Sequence, residues 1–234
     1  MANDYPLRKL DLPYDVQDIR QRYLKLYSGL VYDSMEEMGY MGRAMDSGIY
    51  PLLHTMKVAG PAFTVHCIST PNKDPYRHDL RLGMLKSMSA GCIQIRDTQN
   101  NTTCGQFGEI SATAAAAAGC AGAVIDGSTR DSNYLIDMGF PTFCRFRNPA
   151  EALGRFMAID YQIPIYVKGI DGRLIVNPGD FLFGDNDGVV VVPKEITVAV
   201  LEKSEEYFAS EAKSRAAMAS GKDPFKVYEE FGRF

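Results

Sequence analysis

The chain has 234 residues, with 25 basic against 29 acidic side chains, a formal net charge of -4, 46% hydrophobic and 23% charged residues. That balance excludes intrinsic disorder, and a pI near 5.4 argues against the basic face that a nucleic-acid partner requires. No run approaches the roughly 18 apolar residues that cross a bilayer. The polar start, with Asp4, Arg8, Lys9 and Asp11, has no signal-peptide core, so a cytoplasmic protein with no membrane partner is expected.

In chain order, Val16, Ile19, Tyr23, Leu24, Tyr27, Leu30, Val31 and Met35 recur at three- and four-residue steps, predicting one or two amphipathic helices that end at Gly39. Residues 57–68 read as a strand pair, or as one strand interrupted at Gly60-Pro61. Asp79 to Met88 predicts a helix and Gly91 to Arg96 a short buried strand. Glu109 to Gly119, with alanine at every position from Ala114 to Ala118, predicts a slim helix that can lie close to a sheet, with Gly119 closing it. The apolar run Ala121 to Asp126 predicts a strand buried on both faces and broken by Gly127 and Ser128. A short helix, about Ser132 to Met138, stops at Gly139, and Pro141 opens another strand. The strand–helix–strand rhythm indicates an α/β fold.

After Ile163 to Val167 the character changes, and glycines at 169, 172, 179, 184 and 188 punctuate short β-rich segments at 174–176, 181–183 and 189–192. Pro193 ends the last of these, and Lys194 to Ala219 predicts one long charged helix. No internal repeat or Pro/Gly/Ser-rich linker divides the chain, so residues 1–234 read as one domain, with a core at about 20–193 and a C-terminal helix at about 194–219.

Five cysteines (Cys67, Cys92, Cys104, Cys120, Cys144) stand singly without a CxxC spacing, so reduced thiols are expected rather than disulfides or zinc. His54, His66 and His78 form no i, i+4 pair, and any metal is therefore expected on carboxylates, as a hard ion such as Mg2+ or Mn2+.

The sharpest local feature is the stretch Asp126 to Asp131, where an apolar strand gives way to small residues and then presents Arg130 and Asp131 together. Ligands in α/β proteins gather beyond strand carboxyl ends, and a guanidinium can hold a carboxylate through two hydrogen bonds. The alternative is structural, with Asp131 capping the next helix and Arg130 in a surface ion pair. A second loop, Gly105 to Ser111, leads straight into the alanine helix, whose first N–H groups form a seat for an anionic or carbonyl oxygen. Glu109 reads equally as a first-turn carboxylate that favours the helix dipole.

Gly108-Glu109, then the 20 residues 110–129, then Arg130-Asp131 resembles the acidic-x20-Arg-Asp motif of the 4-hydroxy-4-methyl-2-oxoglutarate / 4-carboxy-4-hydroxy-2-oxoadipate aldolase family, which also contains the regulator of ribonuclease activity A. Val31 to Met35, Ala59 to Val65, Gly122 to Gly127, Pro178-Gly179-Asp180, Asp185 and Asp187 to Pro193 are similar to further segments of that RraA-like family, in the same order, over roughly residues 20–220. The resemblance implies a swivelling-type α/β/β sandwich assembled as a homotrimer or a dimer of trimers. It also implies a class II lyase that uses Mg2+ or Mn2+ on a small 2-oxo acid, releasing pyruvate or decarboxylating oxaloacetate through an enolate. A divalent cation at the 2-oxo group is suited to that chemistry because it stabilises the developing negative charge.

Carried over by position, Arg130, Asp131 and Glu109 are the implied catalytic set, with Arg130 on the substrate carboxylate and Asp131 on the metal. Gly108, Glu109, Ile110 and Ser111 are implied to contact substrate and metal waters. Glu206 and Glu211 are candidate bases, or else part of a solvated helix face. Tyr134 departs from the pattern, standing where aldolases of the family tend to carry an acid, and Thr70 to His78 fits poorly and is expected to form a substrate-specific loop. The competing reading is a non-catalytic regulator that works through its surface. A methyltransferase has no support, because no glycine-rich fingerprint for an adenosyl cofactor is present.

Overall fold

The computed structural model describes residues 7–73 and 78–232, with backbone only at 78. Residues 74–77 of the expected substrate loop therefore lie outside the described residues. Two short helices come first, α1 (Val16–Tyr23) and α2 (Ser28–Glu37), and the chain leaves α2 through Gly39 in the left-handed conformation at φ 87°. The central sheet contains four parallel strands, β2 (Val58–Ser69), β3 (Ile93–Asp97), β4 (Gly122–Thr129) and β5 (Thr142–Arg147), in the order β5-β4-β3-β2. Helices α3 (His78–Ser87), α4 (Glu109–Ala117) and α5 (Ser132–Asp137) make the successive crossovers. A two-residue strand, β1 (Tyr50–Pro51), joins β5 antiparallel.

The second half is built from hairpins, as its glycine spacing predicts. Strand β6 (Phe156–Tyr161) pairs antiparallel with the end of β2, while β7 (Ile165–Gly169) and β8 (Gly172–Val176) form a separate ribbon. Strands β9 (Phe181–Asp185) and β10 (Gly188–Val192) pair with each other, and β9 extends the main sheet along the first residues of β2. The long helix α6 (Thr197–Ala219) and a short α7 (Pro224–Phe231) follow.

Side-chain alternation sorts these strands into layers. Phe63, Val65, Ala123 and Ile125 face α3, α4 and α5 with Leu80, Met84, Ala112, Ala115 and Leu135. Ala62, Ile93, Ile95 and Val124, on the other face of the same strands, meet Ile165, Val167, Leu174 and Val176 of the β7–β8 ribbon. Phe181, Phe183, Val190 and Val192 turn outwards onto α1, α2 and α6, which pack as a further helical layer. The result is the expected mixed α/β/β arrangement with a long C-terminal helix. The small residues of α4 serve it directly, since Ala112 and Ala115 are fully buried and let the helix lie against the sheet.

Five elements differ from the sequence reading. β2 runs unbroken through Gly60-Pro61, because this is where it changes partners, from β9 on one side to β3 on the other. A side chain at Gly60 would meet the Gly91 carbonyl oxygen at 2.2 Å, so the glycine permits a close approach between chain segments rather than a break. β4 likewise continues through Gly127 and Ser128 to Thr129 across an irregularity in its pairing with β5. A Cβ on Gly127 would lie 2.3 Å from Gln106 Oε1 and 2.6 Å from Thr98 Oγ1. Strand β6 was not foreseen because its burial does not alternate, and the long helix begins after a separate 3-10 turn, Lys194–Ile196. Helix α7 was also missed, although Asp223 accepts from the Phe225 and Lys226 N–H groups and Pro224 opens the first turn. All five cysteines are free and buried, and no helix among the described residues is long and apolar enough to cross a membrane.

Candidate functional site

A cleft of about 440 Å³ opens beyond the ends of β3 and β4, walled by the loop Gly105 to Gly108, the start of α4, one side of α3 and the segments 151–154 and 156–158. The loop is fastened to the end of β4 by paired contacts. The Gln106 N–H donates to the Ser128 carbonyl (3.1 Å), and the Ser128 N–H donates back to Gln106 Oε1 (2.6 Å). The Arg130 N–H and the Thr129 hydroxyl both donate to the Phe107 carbonyl, at 2.8 and 2.7 Å. Buried polar groups that are fully bonded in this way hold a loop rigidly.

Two glycines set the distance between the loop and the Arg-Asp pair. A Cβ on Gly105 would come within 2.8 Å of Arg130 Cβ, and one on Gly108 within 2.5 Å of Asp131 Oδ2. Asp131 occupies the N-cap position of α5 in left-handed backbone (φ 57°), yet its side chain makes no capping bond. Its Oδ2 instead accepts from the Glu109 N–H at 3.2 Å, at the start of α4, and lies 3.4 Å from Arg130 Nε. Both side chains are 37% exposed, so each remains open to the cleft they line. The capping alternative for Asp131 therefore does not hold, while the Arg130–Asp131 ion pair does form.

Gly108, Ile110 and Ser111 line the cleft with Arg130 and Asp131, but Glu109 does not. Its carboxylate accepts from the Thr113 hydroxyl one turn along α4 (2.8 Å), and its contribution to the site is the backbone N–H already described. Glu206 is exposed and outside the cleft. Glu211 is not on a solvated face: it is 8% exposed, accepts a hydrogen bond from the Tyr27 hydroxyl and pairs with Arg215 at 3.0 Å, and it too is absent from the cleft lining. Tyr134 projects from α5 at 68% exposure without lining the cleft. Of the expected substrate loop, Asn72 lines the cleft.

Sequence reasoning passed over Arg96, which also lines the cleft and is 8% exposed. Its Nε donates to Gln94 Oε1 and its Nη1 to the Gln106 carbonyl, each at 2.7 Å, and its guanidinium lies 5.0 Å from the centre of the Phe107 ring. Burial lowers its pKa from the usual arginine value. The available signal was an arginine at the end of the short buried strand expected over Gly91 to Arg96. Arg81 and Glu151 complete the charged lining, and Phe107, Leu80, Met84 and Phe156 supply apolar wall. Among the described residues no three His, Cys, Asp or Glu side chains cluster for a metal, so Asp131 would act with few protein partners.

Similar proteins extend along the chain. "Protein DlpA" of Legionella pneumophila is 23% identical over 98% of this chain, which spans only 36% of that protein's length. A Halalkalibacterium halodurans protein named "Putative 4-hydroxy-4-methyl-2-oxoglutarate aldolase" is 30% identical over 80% of this chain and 83% of its own. A crystal structure described among novel cellulases from microbes associated with the gut ecosystem superposes with a TM-score of 0.80 at 32% identity, covering 88% of this chain and 91% of that one. Residues 29–191 match the RraA-like family, described as Aldolase/RraA, and with the cleft, loop and Arg-Asp pair inside or beside that span, this chain belongs to the RraA-like family.

Proposed function

We propose that this chain is a divalent-metal-dependent lyase that cleaves a small 2-oxo acid, by retro-aldol release of pyruvate, by decarboxylation of oxaloacetate, or by both. One observation carries the reading: Arg130 and Asp131 share a cleft with the amide-lined start of α4, and two glycines permit that approach. A purely structural ion pair has no need of either glycine or of an open cleft.

A single accessible carboxylate, with one oxygen already bonded to a backbone N–H, suits a hard ion that keeps most of its water and completes its shell from the substrate. Bound through Asp131, Mg2+ or Mn2+ would supply Lewis-acid stabilisation of the charge that develops on the 2-oxo oxygen. Arg130 binds the adjacent carboxylate through its planar fork and so fixes the orientation of the bond to be broken. The Gly108 to Ser111 segment provides N–H donors and the positive end of α4 at the same place. Leu80, Met84 and Phe156 keep water from the substrate's carbon chain. Glu151, the other carboxylate lining the cleft, is the candidate proton acceptor, in place of Glu206 and Glu211. Cellulase chemistry is not carried over, because a cleft lined by Arg81, Arg96 and Arg130 suits an acid better than a neutral sugar. The proposal includes assembly as a homotrimer or dimer of trimers, which sedimentation measures.

The test is pyruvate release from oxaloacetate and from 4-hydroxy-2-oxo acids, with and without Mg2+ and after chelation. Turnover that needs the metal and disappears in Asp131→Ala supports the lyase. Absence of metal-dependent turnover with every 2-oxo acid tried favours the non-catalytic regulator.

A further inference from the structure

We infer that Arg96 is a specificity-determining residue of this cleft and binds a second carboxylate of the substrate, distal to the one held by Arg130. The inference rests on the 2-oxo acid reading above and adds a residue and a substrate feature to it.

Arg96 comes from the middle of the sheet, in a strand buried along its whole length. Burying a guanidinium without a counter-charge is costly, and arginines this deep are ordinarily paired with carboxylates. This one has only neutral acceptors: the Gln94 side chain takes Nε, the Gln106 carbonyl takes Nη1, and Nη2 has no hydrogen-bond partner among the described residues. The neighbouring Asp97 carboxylate is engaged elsewhere, by the His66 ring at 3.0 Å and the Gln99 N–H at 3.0 Å. The positive charge of Arg81 acts on Arg96 as well and lines the same cleft, which makes an unpaired cation there still less favourable. Arg96 lines the cleft, and a counter-ion can reach it from there.

The same short loop fixes the relation between the two arginines. Arg96 grips Gln106 and stacks on Phe107, while Arg130 bonds to the carbonyl of Phe107 and packs against Gly105. They are thus two cationic groups tied to one rigid loop and lining one cavity of about 440 Å³, sized for a small molecule. A short diacid with a 2-oxo group at one end meets both. A monoacid of equal length leaves Arg96 buried and uncompensated, a penalty that does not depend on the chemistry at the other end.

Isothermal titration with a matched pair of probes tests this. 2-Oxoglutarate and 2-oxopentanoate have the same carbon chain and differ only in the distal carboxylate, and both are titrated in the presence of Mg2+. The wild-type chain is expected to prefer the diacid by roughly 10- to 100-fold, the range of a charge-assisted hydrogen bond. Arg96→Gln should bring that ratio close to one by weakening the diacid far more than 2-oxopentanoate, and Arg96→Lys should fall between because it keeps charge but loses the fork. Arg81→Gln should lower the ratio only slightly. A ratio unchanged in Arg96→Gln, or equal loss of both acids with a lowered melting temperature, would overturn the subsite in favour of a purely structural arginine. Should Arg96→Gln fail to fold, the Arg96→Lys ratio at a wild-type melting temperature decides. An Arg96-dependent preference without any lyase turnover would keep the subsite and remove the lyase reading. If neither acid binds the wild-type chain, the subsite and the 2-oxo acid reading fall together.

Discussion

Arg96, which is buried, and Arg145, which is half-buried, stand on β3 and β5, the two strands that flank β4, and their surroundings are opposite. Arg145 closes on two carboxylates: its Nε donates to Asp126 Oδ1 at 2.6 Å and its Nη1 pairs with Asp46, which also holds Lys168 Nζ at 2.6 Å. Asp126 Oδ2 accepts in addition from the Lys168 N–H at 2.9 Å. Burial raises the Asp126 carboxyl above its ordinary pKa despite Arg145, whereas at Asp46 the Lys168 and Arg145 contacts outweigh burial and lower it. Every charge in that cluster has a protein partner, and the cluster ties the sheet to the loop carrying Asp46 and to β7. At Arg96 the partners are neutral, and at Arg130 and Asp131 they are incomplete and open to solvent. Identical residue types thus serve architecture in one place and, in the proposed function, ligand capture in the other, and the difference lies in whether the protein itself supplies the counter-charge.

This contrast predicts a separation between activity and stability. Asp131→Ala should reduce kcat/KM for oxaloacetate by on the order of 100-fold or more, since its carboxylate is the proposed metal anchor. Its melting temperature should stay near wild type because the side chain is 37% exposed. A large loss of stability there would make Asp131 architectural as well. Arg145→Met should do the reverse, costing about 3–5 kcal/mol in denaturant unfolding by leaving Asp126 and Asp46 uncompensated, with little change in KM for the protein that remains folded. Gly108→Ala tests the boundary between the two regions. Its Cβ must displace the Asp131 carboxylate, so activity should fall roughly 10-fold while stability drops by about 1–3 kcal/mol.

The smallest effect concerns pH. Burial raises the Cys67 thiol to about 12 and the Cys144 thiol to about 11 from an ordinary 9.0. The unfolded chain ionises first, so the stability that these thiols contribute is complete below about pH 9 and declines as pH rises towards 11 to 12. Denaturant midpoints should therefore move down across that window, and alkylation of the native protein at pH 8 should be slow at both positions. Rapid labelling at neutral pH would show that this part of the sheet opens readily.

Much of the architecture was legible because it depends on local pattern. Alanines 114–118 with Gly119, the apolar run at 121–126 and the glycine spacing after residue 169 gave helix, buried strand and hairpins. The failures fall where distant chain decides local form. Gly60 and Gly127 read as breaks, but each is small so that another segment can approach, and nothing nearby in sequence records that segment. At the site, Arg130 and Asp131 were legible from their place after an apolar strand. For Glu109 the N–H seat expected at the helix start is where its amide meets Asp131, while the direction of its carboxylate, towards Thr113, was not legible. Arg96 was hidden for a related reason: what distinguishes it from Arg145 is the absence of a carboxylate close by in space.

Strand β2 has one more consequence, for synthesis. Its early residues pair with β9, about 120 positions further along, so at ribosomal rates of 5–20 residues per second that edge stays unpaired for roughly 6 to 24 seconds after it emerges. The nascent chain carries this unpaired apolar edge, Val58 to Pro61, until β9 emerges, so slower elongation lengthens the time for which it is open to wrong partners.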